Sequence, residues 1–253
     1  MDAAGLLPLA LLPLGLLFDL TASALVGPSH TDPDFIKGIV DAHNQYRSAV
    51  TPKASDMLRM TWDPALALTA KGWSQQCIFD HNPDLQKPGK AHPTFNPVGE
   101  NIWLGGPSTT VSPTKPWYDE VKDYTYATHT CSGVCGHYTQ VVWASSYKVG
   151  CAATVCETIK KSTMKNMMIL VCNYAPAGNY PQRPYSEGEA CSKCPAGDKC
   201  ENNMCANSER DKIKDPGNWK PSFGSAGVAS SFIQLHSYSV LFCLTCIYLY
   251  LLV

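Results

Sequence analysis

The placement of cysteine constrains this 253-residue chain more than any other feature: it has 12, and ten of them (Cys77, Cys131, Cys135, Cys151, Cys156, Cys172, Cys191, Cys194, Cys200, Cys205) lie between two apolar ends. An even set of that size suits a framework closed by disulfides in an oxidising compartment, and it argues against a cytosolic protein. The other two, Cys243 and Cys246, belong to the C-terminal apolar tail.

Leu6 to Leu17 is apolar but too short to span a bilayer, and Ala22-Ser23-Ala24 offers a small-residue cleavage site, so residues 1–24 read as a signal peptide. Asp2 stands where a positive start is usual and Pro8 and Pro13 interrupt the run, so a non-cleaved anchor is the alternative. At the other end the apolar run Val240–Val253 covers about 14 positions, where a spanning helix needs roughly 17–25. No Lys or Arg follows it. Ser222 to Gly227 supplies small residues ahead of a weakly polar spacer, the layout of a lipid-anchor signal (a GPI type) whose tail is removed. Residues 232–253 are therefore expected to be a lipid-anchor signal, with a short retained membrane anchor as the alternative, and 207–231 a linker. Both readings place the protein outside the cell or on its surface, membrane-associated through its tail.

The part between the ends is about 200 residues, one domain and a small appendage. All its cations remain when Asp2 and Asp19 leave with the leader, so 20 Lys and Arg face 19 acids and the net charge is +1 with His neutral. That balance argues against a nucleic-acid partner, which wants a concentrated basic face. The chain has no Asn-x-Ser/Thr acceptor, so no N-linked sugar is expected.

Asp32-Pro33 precedes Phe35, Ile36, Ile39, Val40, His43 and Tyr46 at three- and four-residue spacings, which predicts an amphipathic helix stopped by Thr51-Pro52. Asp63-Pro64 opens a second, with Leu66, Ala70, Trp73 and Cys77 on one stripe and His81 just past its end. Asn82 to Pro116 is rich in Pro and Gly and reads mostly as loop, with Gly99-Glu100-Asn101-Ile102-Trp103 as an island inside it. A further helix is predicted from Pro116 through Trp117, Glu120, Val121 and Tyr124. Tyr147–Cys156 and Met167–Tyr174 alternate as buried strands do, joined by the turn Lys160-Lys161-Ser162. Helices followed by strands suggest an α+β layered domain. Cys191-x-x-Cys194, with Cys200 and Cys205, can be read as a zinc site of four thiolates. In an oxidising space, two disulfides are the more natural closure of so short a segment.

The runs Gly136-His137-Tyr138-Thr139-Gln140-Val141-Val142-Trp143 and Ile169-Leu170-Val171-Cys172-Asn173-Tyr174-Ala175-Pro176-Ala177-Gly178-Asn179-Tyr180 resemble the paired signatures of the CAP superfamily, which holds cysteine-rich secretory proteins, antigen 5 and plant pathogenesis-related proteins of class 1. Ser55-Asp56-Met57, Met60 to Ala67, Gly99 to Trp103 and the four-cysteine hinge resemble its glioma pathogenesis-related branch. The resemblance runs from about Phe35 to Arg210. It implies a three-layer α-β-α sandwich over 32–182 with a disulfide-rich hinge at 188–206. It also implies the pairings Cys77–Cys156, Cys151–Cys172, Cys191–Cys200 and Cys194–Cys205, leaving Cys131 with Cys135. After Cys205 no cysteine precedes the tail. The channel-active second domain of some relatives is thus missing, and channel blockade is not carried over.

The same resemblance joins four residues distant in sequence: His81, Glu100, Glu120 and His137. In relatives the matching positions line one cavity and can hold a divalent cation, with zinc on the histidines. Neutral imidazoles are good zinc ligands, and carboxylates can accept their other N–H. Two protein ligands plus waters make an open, exchangeable site. Each residue also has a plainer reading. His81 can face the carbonyls of a helix end, His137 can be packing, and the two Glu can be solvated acids or partners of buried backbone N–H groups. Trp103, Trp117 and Trp143 read as core aromatics rather than a ligand-stacking wall. Two functions follow. One is a non-catalytic extracellular binding module holding zinc, with a groove for a lipid or sterol or a surface for a cell-surface protein; the other is a zinc-dependent hydrolase using the same four residues. The first is preferred: neither a His-Glu-x-x-His run nor a Gly-x-Ser-x-Gly elbow is present, and no catalytic residue is assigned.

Overall fold

The computed structural model describes residues 27–223, so the leader read at 1–24 and the tail read at 232–253, with Cys243 and Cys246, lie outside the described residues. Asp32 caps the first helix, α1 (Pro33–Arg47), by accepting the Asp34 N–H, with Pro33 at the first helical position where its missing N–H costs nothing. After β1 (Thr61–Trp62), Asp63 caps α2 (Pro64–Ser74) in the same way, taking the N–H groups of Ala65 and Leu66 at 2.8 and 3.0 Å. The helix ends short of Cys77, the last residue of its expected stripe. Cys77 sits at φ 54° and is bonded to Cys156.

The island in the loop is an edge strand, β2 (Gly99–Gly105). The helix expected from Pro116 is shorter: α3 (Thr114–Tyr118) tightens into a 3-10 turn over Asp119–Asp123 and runs into β3 (Tyr124–Thr125), which pairs with β4 (Thr130–Cys131). α4 (Gly136–Val141) follows, then the long strands β5 (Lys148–Thr158) and β6 (Lys165–Ala175), and a hinge hairpin of β7 (Lys199–Glu201) and β8 (Met204–Ala206).

The main sheet runs β1-β5-β6-β2, with β1 parallel to β5 and the other pairs antiparallel. Side chains alternate across it. Leu170, Cys172 and Tyr174 pack with Phe35 and Ile39 of α1, Trp117 of α3 and Tyr138 and Val141 of α4. Ile169 and Val171 pack with Ala70 and Trp73 of α2. β6 is covered on both faces, which is why Met168–Cys172 is apolar at every position. The result is a three-layer α-β-α sandwich. α2 crosses β5 so closely at Gly150 that a Cβ there would lie 2.2 Å from the Ala67 nitrogen, so only glycine fits.

Among the described residues five disulfides join the framework, in the pairing the resemblance implies: Cys77–Cys156, Cys131–Cys135, Cys151–Cys172, Cys191–Cys200 and Cys194–Cys205. The four hinge cysteines are therefore not free to ligate zinc. The hinge is stitched to the domain where Cys205 donates to Met57 and accepts from Arg59 along the backbone. The first part of the expected linker lies against the domain as well: Arg210 pairs with Asp198, and Phe223 packs edge-on against Trp73. Arg47, 1% exposed, ends α1 by donating to the carbonyls of Leu58, Val141, Trp143 and Ala144, so its guanidinium ties α1 to the C-terminal end of α4.

Candidate metal centre

The four residues form two pairs of the same design. His81 lies in the loop after α2, and its Nδ1 is 2.9 Å from Glu100 Oε1, on β2. His137 opens α4, and its Nδ1 is 2.6 Å from Glu120 Oε1, in the 3-10 turn. A carboxylate only accepts, so each Nδ1 carries the proton and each Nε2 keeps its lone pair free, the tautomer a metal-binding imidazole needs.

Each carboxylate also takes backbone N–H groups. Glu100 Oε1 accepts from Asn82 N at 3.0 Å while its Oε2 accepts from the Asn173 amide at 3.3 Å; Glu120 Oε2 accepts from His137 N and Tyr138 N at 3.0 and 3.2 Å. Of the plainer readings of the two Glu, the structure shows them as partners of backbone N–H groups that also hold the imidazoles, with the Glu120 side chain still 17% exposed. The Glu100 side chain is fully buried, whereas that of His81 is 62% exposed. His81 is seven residues past the end of α2, and its ring turns to Glu100 instead of the helix carbonyls. The Glu100 hydrogen bond raises the His81 pKa above 6.5 against the opposing effect of burial.

The pairs flank the edge strand. Glu100 shares the α2 side of the sheet with Ile102, while the next residue, Asn101, points to the other side, where its amide donates to the His137 carbonyl at 3.1 Å and to the Tyr174 hydroxyl at 3.3 Å. His81 and Glu100 open onto a cavity of ≈ 370 Å³ whose wall also includes Gln140, Asn179 and Tyr180; His137 and Glu120 are not part of that wall. Among the described residues, no three His, Cys, Asp or Glu side chains converge on one point. Trp117 stacks on the His137 ring, 6.1 Å between centroids and 12° from parallel, so a core tryptophan also orients the ligand candidate.

Sequence reasoning missed the residues that connect these pairs to the core. The His43 Nδ1–H donates to the Ile39 carbonyl at 2.8 Å, so its Nε2 accepts from the Tyr174 hydroxyl, 2.9 Å away. Tyr174 in turn accepts from Asn101, which holds His137. Gln140 is the fourth missed residue: its Oε1 accepts from Gly178 N at 3.1 Å, and it lies so near Gly99 that a Cβ there would come within 2.2 Å. All four lie inside the motifs or the first helix named above, and their burial at 0–1% exposure marks them.

An α-β-α sandwich closed by disulfides, carrying two imidazole–carboxylate pairs beside its edge strand and followed by a cysteine hinge, defines an extracellular type of domain. A family model described as CAP, the cysteine-rich secretory protein family, matches residues 40–174. GLIPR1-like protein 1 of Bos taurus is 50% identical over 214 residues, covering 83% of this chain and 86% of its own. Glioma pathogenesis-related protein 1 of Mus musculus is 50% identical over 195 residues, covering 76% of this chain and 72% of its own. Among solved structures, one described as NaASP2 with Zn2+ superposes with a TM-score of 0.55 at 28% identity, over 69% of this chain and 96% of that one. The chain belongs to the CAP family, whose proteins are generally secreted or extracellular.

Proposed function

We propose that this protein is a non-catalytic binding module of the cell surface or extracellular space that holds a divalent cation, zinc first, through Nε2 of His81 and His137, with waters completing the shell. The observation that carries the reading is the pair of Nδ1–carboxylate contacts at 2.9 and 2.6 Å, which hold the ring proton on Nδ1 and leave Nε2 as the position a metal would take. The zinc named with the 28%-identical NaASP2 structure supports the same choice of metal. Two protein ligands give a weak, exchangeable site. When bound, zinc would supply a positive centre able to polarise a ligand oxygen; the chain's own part is to orient the rings.

The hydrolase alternative gains nothing from the geometry. Each carboxylate is committed to an imidazole N–H and at least one backbone N–H, and among the described residues no oxyanion-stabilising donor set is placed beside either pair. A lipid or sterol finds a better footing: Ile36, Val40 and Tyr46 of α1 face Tyr118 and Val121 as a half-buried apolar strip, with Tyr46 stacked on Tyr118 at 4.1 Å. Attachment through a C-terminal lipid anchor and recognition of a cell-surface protein complete the reading.

Zinc titration of the purified protein, compared with the His81→Ala/His137→Ala double variant, tests it. The wild type should bind one zinc and the double variant none; equal affinity in both removes the site.

A further inference from the structure

Away from the two pairs, a second and more enclosed cavity of ≈ 150 Å³ lies between the N-terminus of α2, the start of β5 and the chain after the hinge. Buried Asp63 and Lys148 both face it and form no ion pair with each other among the described residues. His92, 4% exposed, accepts at Nδ1 from Thr94 N and Phe95 N, both at 3.0 Å, so its proton is on Nε2. That Nε2–H is buried and makes no well-formed hydrogen bond among the described residues; Asp63 Oδ1 lies 3.4 Å away as a charge contact.

Asp63, 6% exposed, caps α2 with Oδ1 alone, and its other oxygen accepts nothing among the described residues. Lys148, 3% exposed, donates to Thr61 Oγ1 and the Lys212 carbonyl at 2.9 and 2.8 Å, which leaves a third N–H, and it forms no ion pair among the described residues. Burial pushes its amine below the ordinary lysine value.

An anion site is not what these groups make. Arg210, also on the wall, is already neutralised by two bonds to Asp198, and at the exposed side Lys214 is followed by Asp215. The wall is balanced in charge, with an unused acceptor and an unused ammonium donor held apart in a low-dielectric space, where unpaired charges are costly. Phe95 and Tyr147, edge to face at 5.9 Å, supply an apolar side. The volume is that of roughly five waters at about 30 Å³ each, the size of one small organic molecule.

We propose that this cavity is a binding site for a small zwitterion, an apolar α-amino acid, with its ammonium on Asp63, its carboxylate on Lys148 and its side chain against Phe95 and Tyr147. The test is calorimetric titration of the full chain, as purified from the cells that make it, with L-leucine, 4-methylpentanoate and isoamylamine. Leucine should bind one to one, and each analogue, lacking one charge, should bind at least about tenfold more weakly, a loss of about 1.4 kcal/mol. Asp63→Asn, which keeps the helix cap, and Lys148→Met should each weaken leucine by a similar factor. The His81→Ala/His137→Ala variant should leave leucine binding unchanged, which separates this site from the metal site. Silence with leucine up to about 10 mM overturns the proposal, as does equal binding of 4-methylpentanoate or an affinity indifferent to both cavity substitutions. The wild-type comparison of the three probes stands even if a variant fails to fold.

Discussion

Glu120 holds His137 at both ends: one oxygen takes the ring Nδ1–H at 2.6 Å and the other takes the residue's own backbone N–H at 3.0 Å. One carboxylate therefore sets the tautomer of a ligand and starts the helix that carries it. Glu100 does the same across two residues, taking the ring of His81 and the N–H of Asn82.

Glu120→Ala should lower stability by about 1–3 kcal/mol, because it leaves the N–H groups of His137 and Tyr138 without their acceptor. Zinc affinity should fall about 10–100-fold in the same variant. Glu120→Gln keeps an oxygen for the backbone and should lose less stability. Urea unfolding and zinc titration on the two variants separate the contributions.

The Glu100 contact stabilises protonated His81, so its share of folding stability is complete below 6.5 and disappears as pH rises through the elevated folded value. Zinc competes with that proton and should bind more weakly as pH falls through the same value. In Glu100→Gln the His81 midpoint, followed by proton NMR, should drop toward 6.5. An unmoved midpoint would show that Glu100 does not set it.

His43 behaves with the opposite sign. Burial holds it down to about 4, so it stays neutral in the folded protein while the unfolded chain gains a proton below 6.5. Stability should be fully present above 6.5 and decline toward pH 4, by on the order of 3 kcal/mol from this residue. His43→Gln should flatten that part of the pH–stability curve in denaturant titrations. Tyr174→Phe, which takes the donor from a buried Nε2, should cost about 1–3 kcal/mol at neutral pH.

Gly150→Ala should abolish folding at physiological temperature, since the added carbon meets backbone atoms of α2 at 2.2 and 2.5 Å, and backbone cannot step aside as a side chain can. Loss of secretion and of the cooperative melt would be the readout; a normal melting curve would mean that α2 can lift off β5.

The layers were legible because burial writes its period into the sequence. Asp32-Pro33 and Asp63-Pro64 mark the starts of α1 and α2, and the apolar continuity of Met168–Cys172 reports a strand covered on both sides. α4 left no such trace: it is six residues long, begins with glycine, and is held by contacts to Glu120, Asn101 and Arg47 that come from elsewhere in the chain. The break of the third helix into a 3-10 turn is likewise a tertiary event, since it delivers Glu120 to α4. The pairing of His81 with Glu100 spans a loop that has no periodicity, so only the family pattern joined them. Asn101 and Tyr174 were quoted as letters of a motif, and their hydrogen bonds, which cross between elements, could be seen only in three dimensions.

The chain of contacts from Ile39 through His43, Tyr174 and Asn101 to the His137 carbonyl makes a surface helix answer to the interior. α4 cannot slide along the sheet without pulling on a ring that is 0% exposed. An incoming ion or partner at His137 therefore meets a pre-set wall, with little conformational freedom left to surrender, and rapid exchange there would reflect the openness of the coordination shell and not softness of the scaffold.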